Sequence, residues 1–365
     1  MSDIDVYRKE IEEIDEKMAS LFERRMEVAG GIAKYKKANG LPIFDSSREK
    51  FLVEKNLKYI KNPVFEDYYK EYITDMMGIS KKYQHTMVDD IKVAYAGIEG
   101  SFASIASEKI FPGAERVSYK NFKEAYEAVE NGECRVAVLP IENSYAGEVG
   151  QVTDLMFKGN LTVTGVFELS VHQCLLGVPG STVDSIKKVY SHPQALDQCA
   201  EFIGKHDIEA RAMDNTAVAA KKVADMNDVS VGAIASAENA ELYGLTVIQE
   251  SINESATNVT KFAVFAKHVP AVQDTSGYRT SILMFTVKNA AGTLADAISV
   301  IGKYGYSMHV IRSRPLKDIN WQYYFYTEVE GKLANENGAD MLEELESKCD
   351  QVKVVGTYKA GVKLK

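Results

Sequence analysis

The chain has few cysteines and no long run of apolar residues. Only four of its 365 residues are cysteine, and even the nearest two, Cys174 and Cys199, are too far apart for a CxxC motif. Metal binding and dithiol redox chemistry are therefore not indicated, and free buried thiols in a reducing cytoplasm are expected. No apolar stretch reaches the length of a membrane-spanning helix, and the acidic first residues lack the apolar core of a signal sequence. We therefore expect a cytoplasmic protein without a metal ion or a membrane partner.

Positive charge is also in deficit. Lysine and arginine number 43 against 52 acidic residues, which gives a formal net charge of −9. This balance disfavours nucleic acid and anionic membranes as partners, although locally concentrated cations would still bind a small anion. The length predicts two or three domains.

The first 87 residues carry one dominant helical pattern. Apolar residues recur at alternating steps of three and four from Ile4 to Tyr35, which is typical of a helix with a narrow apolar stripe. Arg25 occupies a stripe position, where a buried guanidinium needs a partner. Two interpretations are open. In the first, the aliphatic part of the Arg25 side chain lies on the stripe and its guanidinium extends into water. In the second, the guanidinium binds an anion.

Neighbouring polar residues favour the anion. Lys36 points within about 20° of Arg25 on the helix, whereas Arg8 points roughly 100° away from it. One helix therefore cannot aim all three cations at one small anion, but helices from two subunits can. Ser80 and Gln84 lie four residues apart on one face of a later helix.

Residues 1–87 resemble the all-helical chorismate mutases, which rearrange chorismate to prephenate. This Claisen rearrangement requires only that the reactive conformer is held and that charge on the ether oxygen is stabilised. The resemblance implies that Arg25 and an Arg8 from the second subunit bind the substrate carboxylates, with help from Arg48 and Ser80. It implies that Lys36 and Gln84 donate hydrogen bonds to the ether oxygen. It also implies that Glu49 and the region of Asp45 bind the ring hydroxyl. Three helices with one long apolar face favour an intertwined dimer, so we expect a homodimer or a homotetramer.

From residue 91 to residue 267, short β patterns alternate with helical ones, which is typical of an α/β fold. Such folds bind ligands beyond the carboxyl ends of their strands. The polar loops at these positions are Gly97–Phe102, Pro140–Ser144, Ser191–Gln194, Asp214–Thr216 and Asn258–Phe262. A glycine-rich turn or a helix N-cap would explain the first and the fourth without any ligand.

The Pro-Ile-Glu-Asn-Ser motif at Pro140 and the Ser-His-Pro-Gln-Ala-Leu motif at Ser191 resemble those of prephenate dehydratases. The resemblance implies two α/β lobes, residues 91–170 plus 258–267 and residues 171–257, with prephenate bound between them and no cofactor. It implies catalytic roles for Thr260, Asn143, Ser144 and Glu142, and substrate binding by Ser191, His192, Thr216, Lys261 and Ser101. Thr260 is the implied donor to the leaving hydroxyl. His192 serves either as an acid or only as part of the turn before Pro193.

Three positions depart from the dehydratase pattern. Lys261 stands where the family has arginine, and a lysine cannot form the two parallel hydrogen bonds by which an arginine binds a carboxylate. Ile98 and Ala103 replace a proline and a hydroxyl residue in the first loop. A mutase with a weakened dehydratase domain is therefore one alternative.

Residues 278–365 show the order strand, helix, strand, strand, helix, strand, which predicts a ferredoxin-like α+β domain. This segment resembles the regulatory ACT domain found after dehydratase domains, which implies phenylalanine as an allosteric effector. The implied effector-binding residues are Gly292, Thr293, Leu294, Ser313, Arg314 and Pro315. Arg312 reverses the charge of the glutamate in the family motif Glu-Ser-Arg-Pro. A dimerising module without a ligand is the alternative for this domain.

A protein of another class would use the same folds as a dimeric small-molecule sensor, with a helical dimerisation segment, a two-lobed binding domain and an effector module. That alternative does not require Arg25 in the stripe. It also predicts a DNA-binding or membrane element, and the sequence shows none.

Overall fold

The computed structural model describes residues 3–38, 46–88, 91–255, 257–267, 279–317, 319–331 and 333–364, and excludes the side chains of residues 3, 36–38, 46–50, 81, 82 and 85–88. The chain divides into two compact units, Met1–Asp90 and Ile91–Lys365. They are described separately.

The first unit is helical, as predicted. Its elements are α1 (Asp3–Ala38), α2 (Ser46–Leu57), a short 3₁₀ turn (Pro63–Phe65) and α3 (Glu66–Val88). Helix α3 packs against both α1 and α2. Few apolar side chains of the unit are buried, and the predicted stripe on α1 stays largely exposed in the single chain, with Tyr7 at 65% and Leu21 at 70%.

The second unit alternates strands and helices and ends in a strand-rich segment. Its elements are β1 (Lys92–Ala96), α4 (Phe102–Ile110), β2 (Glu115–Tyr119), α5 (Phe122–Glu130), β3 (Val136–Asn143), β4 (Gly147–Glu148), α6 (Gly150–Lys158), β5 (Thr162–Ser170), β6 (Cys174–Gly177), β7 (Lys188–Ser191), α7 (Pro193–Gln198), α8 (Ala200–Lys205), β8 (Glu209–Ala212), α9 (Thr216–Met226), β9 (Val231–Ala235), α10 (Glu238–Tyr243), β10 (Thr246–Gln249), β11 (Val259–Ala266), β12 (Arg279–Thr286), α11 (Thr293–Lys303), β13 (Met308–Pro315), β14 (Tyr323–Glu330), α12 (Glu336–Lys348), β15 (Gln351–Lys359) and β16 (Val362–Lys363).

Two sheets form the two lobes of the α/β region, which confirms the predicted class. The first sheet has the order β16-β5-β11-β3-β1-β2, with β4 paired to β3, and the second has the order β10-β6-β9-β7-β8. Strand β11 follows the second lobe in sequence but lies between β5 and β3 of the first, antiparallel to both. The start of β11 therefore meets the carboxyl end of β3, the edge at which ligands of α/β sheets bind.

The last segment is ferredoxin-like, as predicted, with the antiparallel order β13-β14-β12-β15. Successive side chains of β12 point to opposite faces of the third sheet, so they pack alternately against its helices and against the first lobe. Leu283 and Phe285 pack against α11 and α12. Ile282 and Met284 share one core with Phe265 of the first lobe. The third sheet is therefore packed onto the first lobe by a common apolar core. Residues 268–278, which connect β11 to β12 in the sequence, lie outside the described residues.

Candidate active sites

The first candidate site lies between α1 and α3 of the helical unit. The guanidinium of Arg25 is half-buried, donates to the hydroxyl of Ser80 and lies 3.4 Å from the carbonyl oxygen of Met76. Ser80 itself is buried and donates to the same carbonyl at 3.0 Å. Arg25 is thus directed at α3, which contradicts the interpretation that its head group extends into water.

Gln84 lies one turn after Ser80 on α3, and its Oε1 is buried without a hydrogen-bond partner among the described residues. Buried amide oxygens without a partner are uncommon in folded proteins and require an explanation. Arg25, Ser80 and Gln84 therefore meet at one face of α3, where the amide oxygen of Gln84 can still accept a hydrogen bond.

Arg8 lies elsewhere. It is exposed and forms an ion pair with Asp5 at 3.8 Å, and the 17 residues that separate it from Arg25 span about 25 Å of helix. The two cations therefore cannot act on one small ligand within a single chain. The remaining candidates of the helical unit lie outside the described residues, either entirely or in their side chains; they are Lys36, Asp45, Arg48 and Glu49.

The second candidate site is a cleft of about 360 Å³ lined by both α/β lobes. Ser101, Asn143 and Thr260 line it from the first lobe, and His192 and Thr216 line it from the second. Clefts of this size that combine apolar walls with a few polar groups are typical sites for small metabolites.

Asn143 and Thr260 form the centre of this cleft. They are partners in the β3–β11 register, and the amide Nδ2 of Asn143 donates to Thr260 Oγ1 at 2.9 Å. Asn143 Oδ1 accepts from the backbone N–H groups of Tyr145 and Ala146, at 3.0 and 2.9 Å, and these bonds orient the amide. Because Thr260 Oγ1 accepts a hydrogen bond from Asn143, its own proton is available for donation into the cleft.

A chain of buried amides supports Asn143, and the sequence did not predict it. Asn143 Nδ2 also donates to Asn258 Oδ1 at 2.8 Å, and Asn258 Nδ2 donates to Gln198 Oε1 at 3.0 Å. Gln173 Nε2 donates to the same Gln198 oxygen at 3.5 Å. The Oε1 atom of Gln173 has no hydrogen-bond partner among the described residues. Gln173 and Gln198 both line the cleft, so the second lobe contributes amide side chains to its wall. The position of Asn258 beside the threonine motif was the one signal available in the sequence.

Three residues predicted for this site, Ser191 and His192 for binding and Ser144 for catalysis, have structural roles in this geometry. Ser191 is fully buried and donates to the carbonyl of Ile234 at 2.5 Å, so it lies behind the cleft lining. His192 caps α7, with its Nδ1 accepting from the backbone of Gln194 at 3.2 Å, which favours the turn-shaping interpretation. Ser144 joins the β3 and β11 loops by donating to the carbonyl of residue 257 at 3.1 Å.

Glu142 and Lys261 lie outside the cleft, contrary to the expectation. They pair across β3 and β11 one position beyond Asn143 and Thr260, and alternate residues of a strand point to opposite faces. Lys261 Nζ lies 2.8 Å from Glu142 Oε2, and the guanidinium of Arg312 on β13 binds the other oxygen. Burial raises the pKa of Glu142, but Lys261 and Arg312 outweigh burial and lower it.

The predicted effector residues belong to two elements, the end of β13 and the start of α11. Arg314 faces the first lobe, where its Nε donates to Asp154 Oδ1 and to the hydroxyl of Tyr324, both at 2.9 Å. Ser313 and Pro315 are exposed, because they alternate with Arg314 along β13. The remaining three begin α11 and are Gly292, Thr293 and Leu294.

The described ranges contain no helix with the length and apolarity needed to cross a bilayer. The described residues also contain no cluster of three or more His, Cys, Asp or Glu side chains placed to bind a metal ion. The four cysteines are free, and burial raises the pKa of Cys199 to about 12.

Comparison with known proteins assigns both regions. The family model described as prephenate dehydratase matches residues 93–270, and the one described as chorismate mutase type II matches residues 7–85. The curated bifunctional chorismate mutase/prephenate dehydratase of Enterobacter agglomerans is 30% identical over 96% of this chain and 94% of its own length.

Solved structures agree with the fold of the second unit. Prephenate dehydratase from Arthrobacter aurescens, determined in complex with L-Phe, covers 74% of this chain and 90% of its own, with a TM-score of 0.68 and 23% identity. A structure described as GqqA, a novel type of quorum quenching acylases, covers 74% of this chain and 98% of its own, with a TM-score of 0.68 and 29% identity.

The two family models match in tandem, and the Enterobacter relative is similar along nearly its whole length. The chain belongs to the family of bifunctional chorismate mutase/prephenate dehydratases.

Proposed function

We propose that this protein catalyses two consecutive steps of phenylalanine biosynthesis. The helical unit rearranges chorismate to prephenate, and the α/β cleft converts prephenate to phenylpyruvate. The observation that carries the proposal is the tandem match of both family models, each over a region that contains polar residues suited to its reaction.

In the mutase site, Arg25 binds a substrate carboxylate. Its guanidinium has five N–H donors, and Ser80 and the Met76 carbonyl occupy only part of them. The amide of Gln84, one turn further along α3, donates to the ether oxygen, where negative charge develops in the transition state. Lys36, Arg48, Glu49 and Asp45 complete the proposed set.

The mutase site is shared between two chains. The exposed apolar stripe of α1 supports this, because a narrow apolar stripe of this length is stabilised by packing against a second helix. In such a dimer, Arg8 of the second subunit lies in the same site as Arg25 of the first. The proposed assembly is a homodimer, or a homotetramer built from two such dimers.

In the dehydratase cleft, loss of carbon dioxide and loss of the ring hydroxyl create the aromatic ring together. The electron pair of the broken carbon–carbon bond enters the ring, the carbon–oxygen bond breaks, and the departing hydroxyl takes a proton and leaves as water. Thr260 donates to this hydroxyl, and the hydrogen bond from Asn143 strengthens it as a donor. Thr216 lies at the N-terminus of α9, where backbone N–H groups favour a carboxylate.

The third sheet is proposed to be a regulatory domain for phenylalanine. The Arthrobacter relative, which was determined with L-Phe, supports this, as does the apolar core that joins the third sheet to the first lobe. Because Arg314 already donates a hydrogen bond to Asp154, the carboxylate of an effector would be bound by other groups. Phenylalanine should lower the rate of prephenate turnover by the purified protein, and an unchanged rate up to millimolar phenylalanine would remove the regulatory role.

Separate assays of the purified chain test the two activities. Chorismate should disappear with formation of prephenate, and added prephenate should yield phenylpyruvate. Turnover of chorismate alone would support the alternative of a mutase with a weakened dehydratase domain. Binding of either compound without turnover would support the sensor.

A further inference from the structure

Strands β3 and β11 carry two pairs of residues on opposite faces. On the face toward the cleft, Asn143 donates to Thr260. On the reverse face, one residue along each strand, Glu142 binds Lys261. Because both pairs belong to the same two strand ends, an interaction that holds the second pair also constrains the first.

The strand pairing is irregular next to these pairs. The register shifts between Lys261 and Phe262, where the partner residue passes from Glu142 to Pro140 and leaves Ile141 unpaired. A bulge of this kind locally disrupts the ladder, and Pro140 has no N–H group to donate to it. The strand ends beyond the bulge keep their partners, Glu142 opposite Lys261 and Asn143 opposite Thr260, so a side-chain contact at this point adds to the backbone pairing that holds them.

Arg312 provides such a contact from outside the cleft. It lies on β13 of the third sheet, and its guanidinium binds the Glu142 oxygen that Lys261 leaves free. The guanidinium also lies over the ring of Tyr326, 5.6 Å from its centroid, and Tyr326 is fixed by a 2.7 Å hydrogen bond to Glu328. The side chains of Arg312 and Glu142 are only 24% and 21% exposed.

Lys261 alone would hold Glu142 less well. It borders a cavity of about 230 Å³ that is also lined by two other carboxylates, those of Glu168 and Glu328. Glu168 is, moreover, the partner of Lys261 in the β5–β11 register. Without Arg312, the carboxylate of Glu142 would be bound by one flexible ammonium group, which has two other carboxylates nearby.

We propose that Arg312 is a positioning residue for the dehydratase reaction, and that its bond to Glu142 fixes the strand ends that carry Asn143 and Thr260. Arg312 does not touch the substrate. The inference rests on the proposed function of the cleft and goes beyond it, because it assigns to the third sheet a part in turnover that requires no effector.

The test compares Arg312→Met with Arg312→Lys in the full chain. Arg312→Met should lower kcat for prephenate at least about tenfold, with KM changed less than about threefold, because misplacement of catalytic groups affects the chemical step more than binding. Arg312→Lys keeps one charged donor to Glu142 and should recover most of the loss. The rate of chorismate consumption, which depends on the helical unit, should stay within about twofold of wild type in both variants.

Lys353→Met is the matched control. Lys353 also extends from the third sheet to the first lobe, but it donates to carbonyl oxygens at the end of α6, among them that of Met156 at 2.6 Å, and not to β3. The control should lower the melting temperature yet leave kcat for prephenate within about twofold of wild type. Equal losses of kcat in Lys353→Met and Arg312→Met would overturn the proposal, since they would indicate general destabilisation.

A double-mutant cycle supplies a second criterion. If Arg312 acts through Glu142, the Arg312→Met/Glu142→Gln double variant should lose no more than the more affected single variant, whereas additive losses contradict the proposal. Normal prephenate turnover by Arg312→Met would overturn the positioning role and leave the proposed function intact. Absence of prephenate turnover in the wild-type chain would overturn both.

Discussion

Asn143 and Thr260 face each other across two antiparallel strands, with the amide of one 2.9 Å from the hydroxyl of the other. They are 117 residues apart in sequence and meet because β11 returns from the second lobe to the first sheet. This pair lies at the centre of the proposed dehydratase site, and the contact between Arg25 and Ser80 lies at the centre of the proposed mutase site.

Replacement of Thr260 by alanine should lower kcat for prephenate by about 10²-fold or more, because the leaving hydroxyl loses its proton donor. Thr260→Ser keeps the hydroxyl and should retain most of the activity. Steady-state rates with prephenate provide the measurement, and the rate with chorismate controls for folding. Near-normal turnover by Thr260→Ala would exclude the hydroxyl from the mechanism.

Replacement of Arg25 by alanine should reduce mutase turnover by about 10²-fold or more, because a cation that binds the dianionic substrate is lost. Arg24→Ala is the matched control, since Arg24 is exposed and forms an ion pair with Glu27 at 2.7 Å on the same helix. The Arg24 variant should keep near-normal mutase activity. Dehydratase activity should be unchanged in both, and a parallel loss of both activities in Arg25→Ala would indicate misfolding instead.

Mixed dimers test whether the mutase site is shared. If each site combines Arg25 of one chain with Arg8 of the other, a dimer of Arg8→Ala and Arg25→Ala chains has one intact site and one doubly altered site. Verified mixed dimers should therefore show about half the wild-type mutase rate, although each parent variant is nearly inactive. Failure to recover activity would place each site within a single chain.

The contact between Arg314 and Asp154 predicts an acid-sensitive interface. Burial raises the pKa of Asp154, but hydrogen bonds from Arg314, Tyr324 and Lys317 outweigh it and lower the pKa to about 2. A carboxylate whose pKa is lower in the folded state contributes stability above its unfolded pKa, and that contribution disappears as the pH falls toward its folded pKa.

The free energy of unfolding of wild type should therefore exceed that of Asp154→Asn by its full margin at about pH 5 and above, and the difference should shrink between about pH 5 and about pH 2.5. Urea unfolding at several pH values measures this difference. A difference that stays constant over this range would show that the charge of Asp154 does not stabilise the interface.

The classes of all three regions were predictable from sequence, because the helical stripe, the alternation of strands with helices and the strand–helix order of the last segment are local patterns. Asn143 and Thr260 were predictable from motifs. Glu142 and Lys261 were incorrectly placed among the residues of the cleft because a motif contains adjacent residues, whereas every second side chain of a strand points away from the cleft.

Contacts distant in sequence were not predictable. Glu142 and Arg312 are 170 residues apart, and nothing local to either residue indicates the other. Gln173 and Gln198 were missed because a glutamine in a loop or helix usually faces water. Their burial follows from the approach of the two lobes, which only the tertiary structure reveals.

A time course with chorismate as the only added substrate shows whether one chain catalyses both reactions. The concentration of chorismate should fall, that of prephenate should rise and then fall, and phenylpyruvate should accumulate to match the chorismate consumed. An unchanged concentration of chorismate in the presence of folded protein would contradict the proposed two-step function.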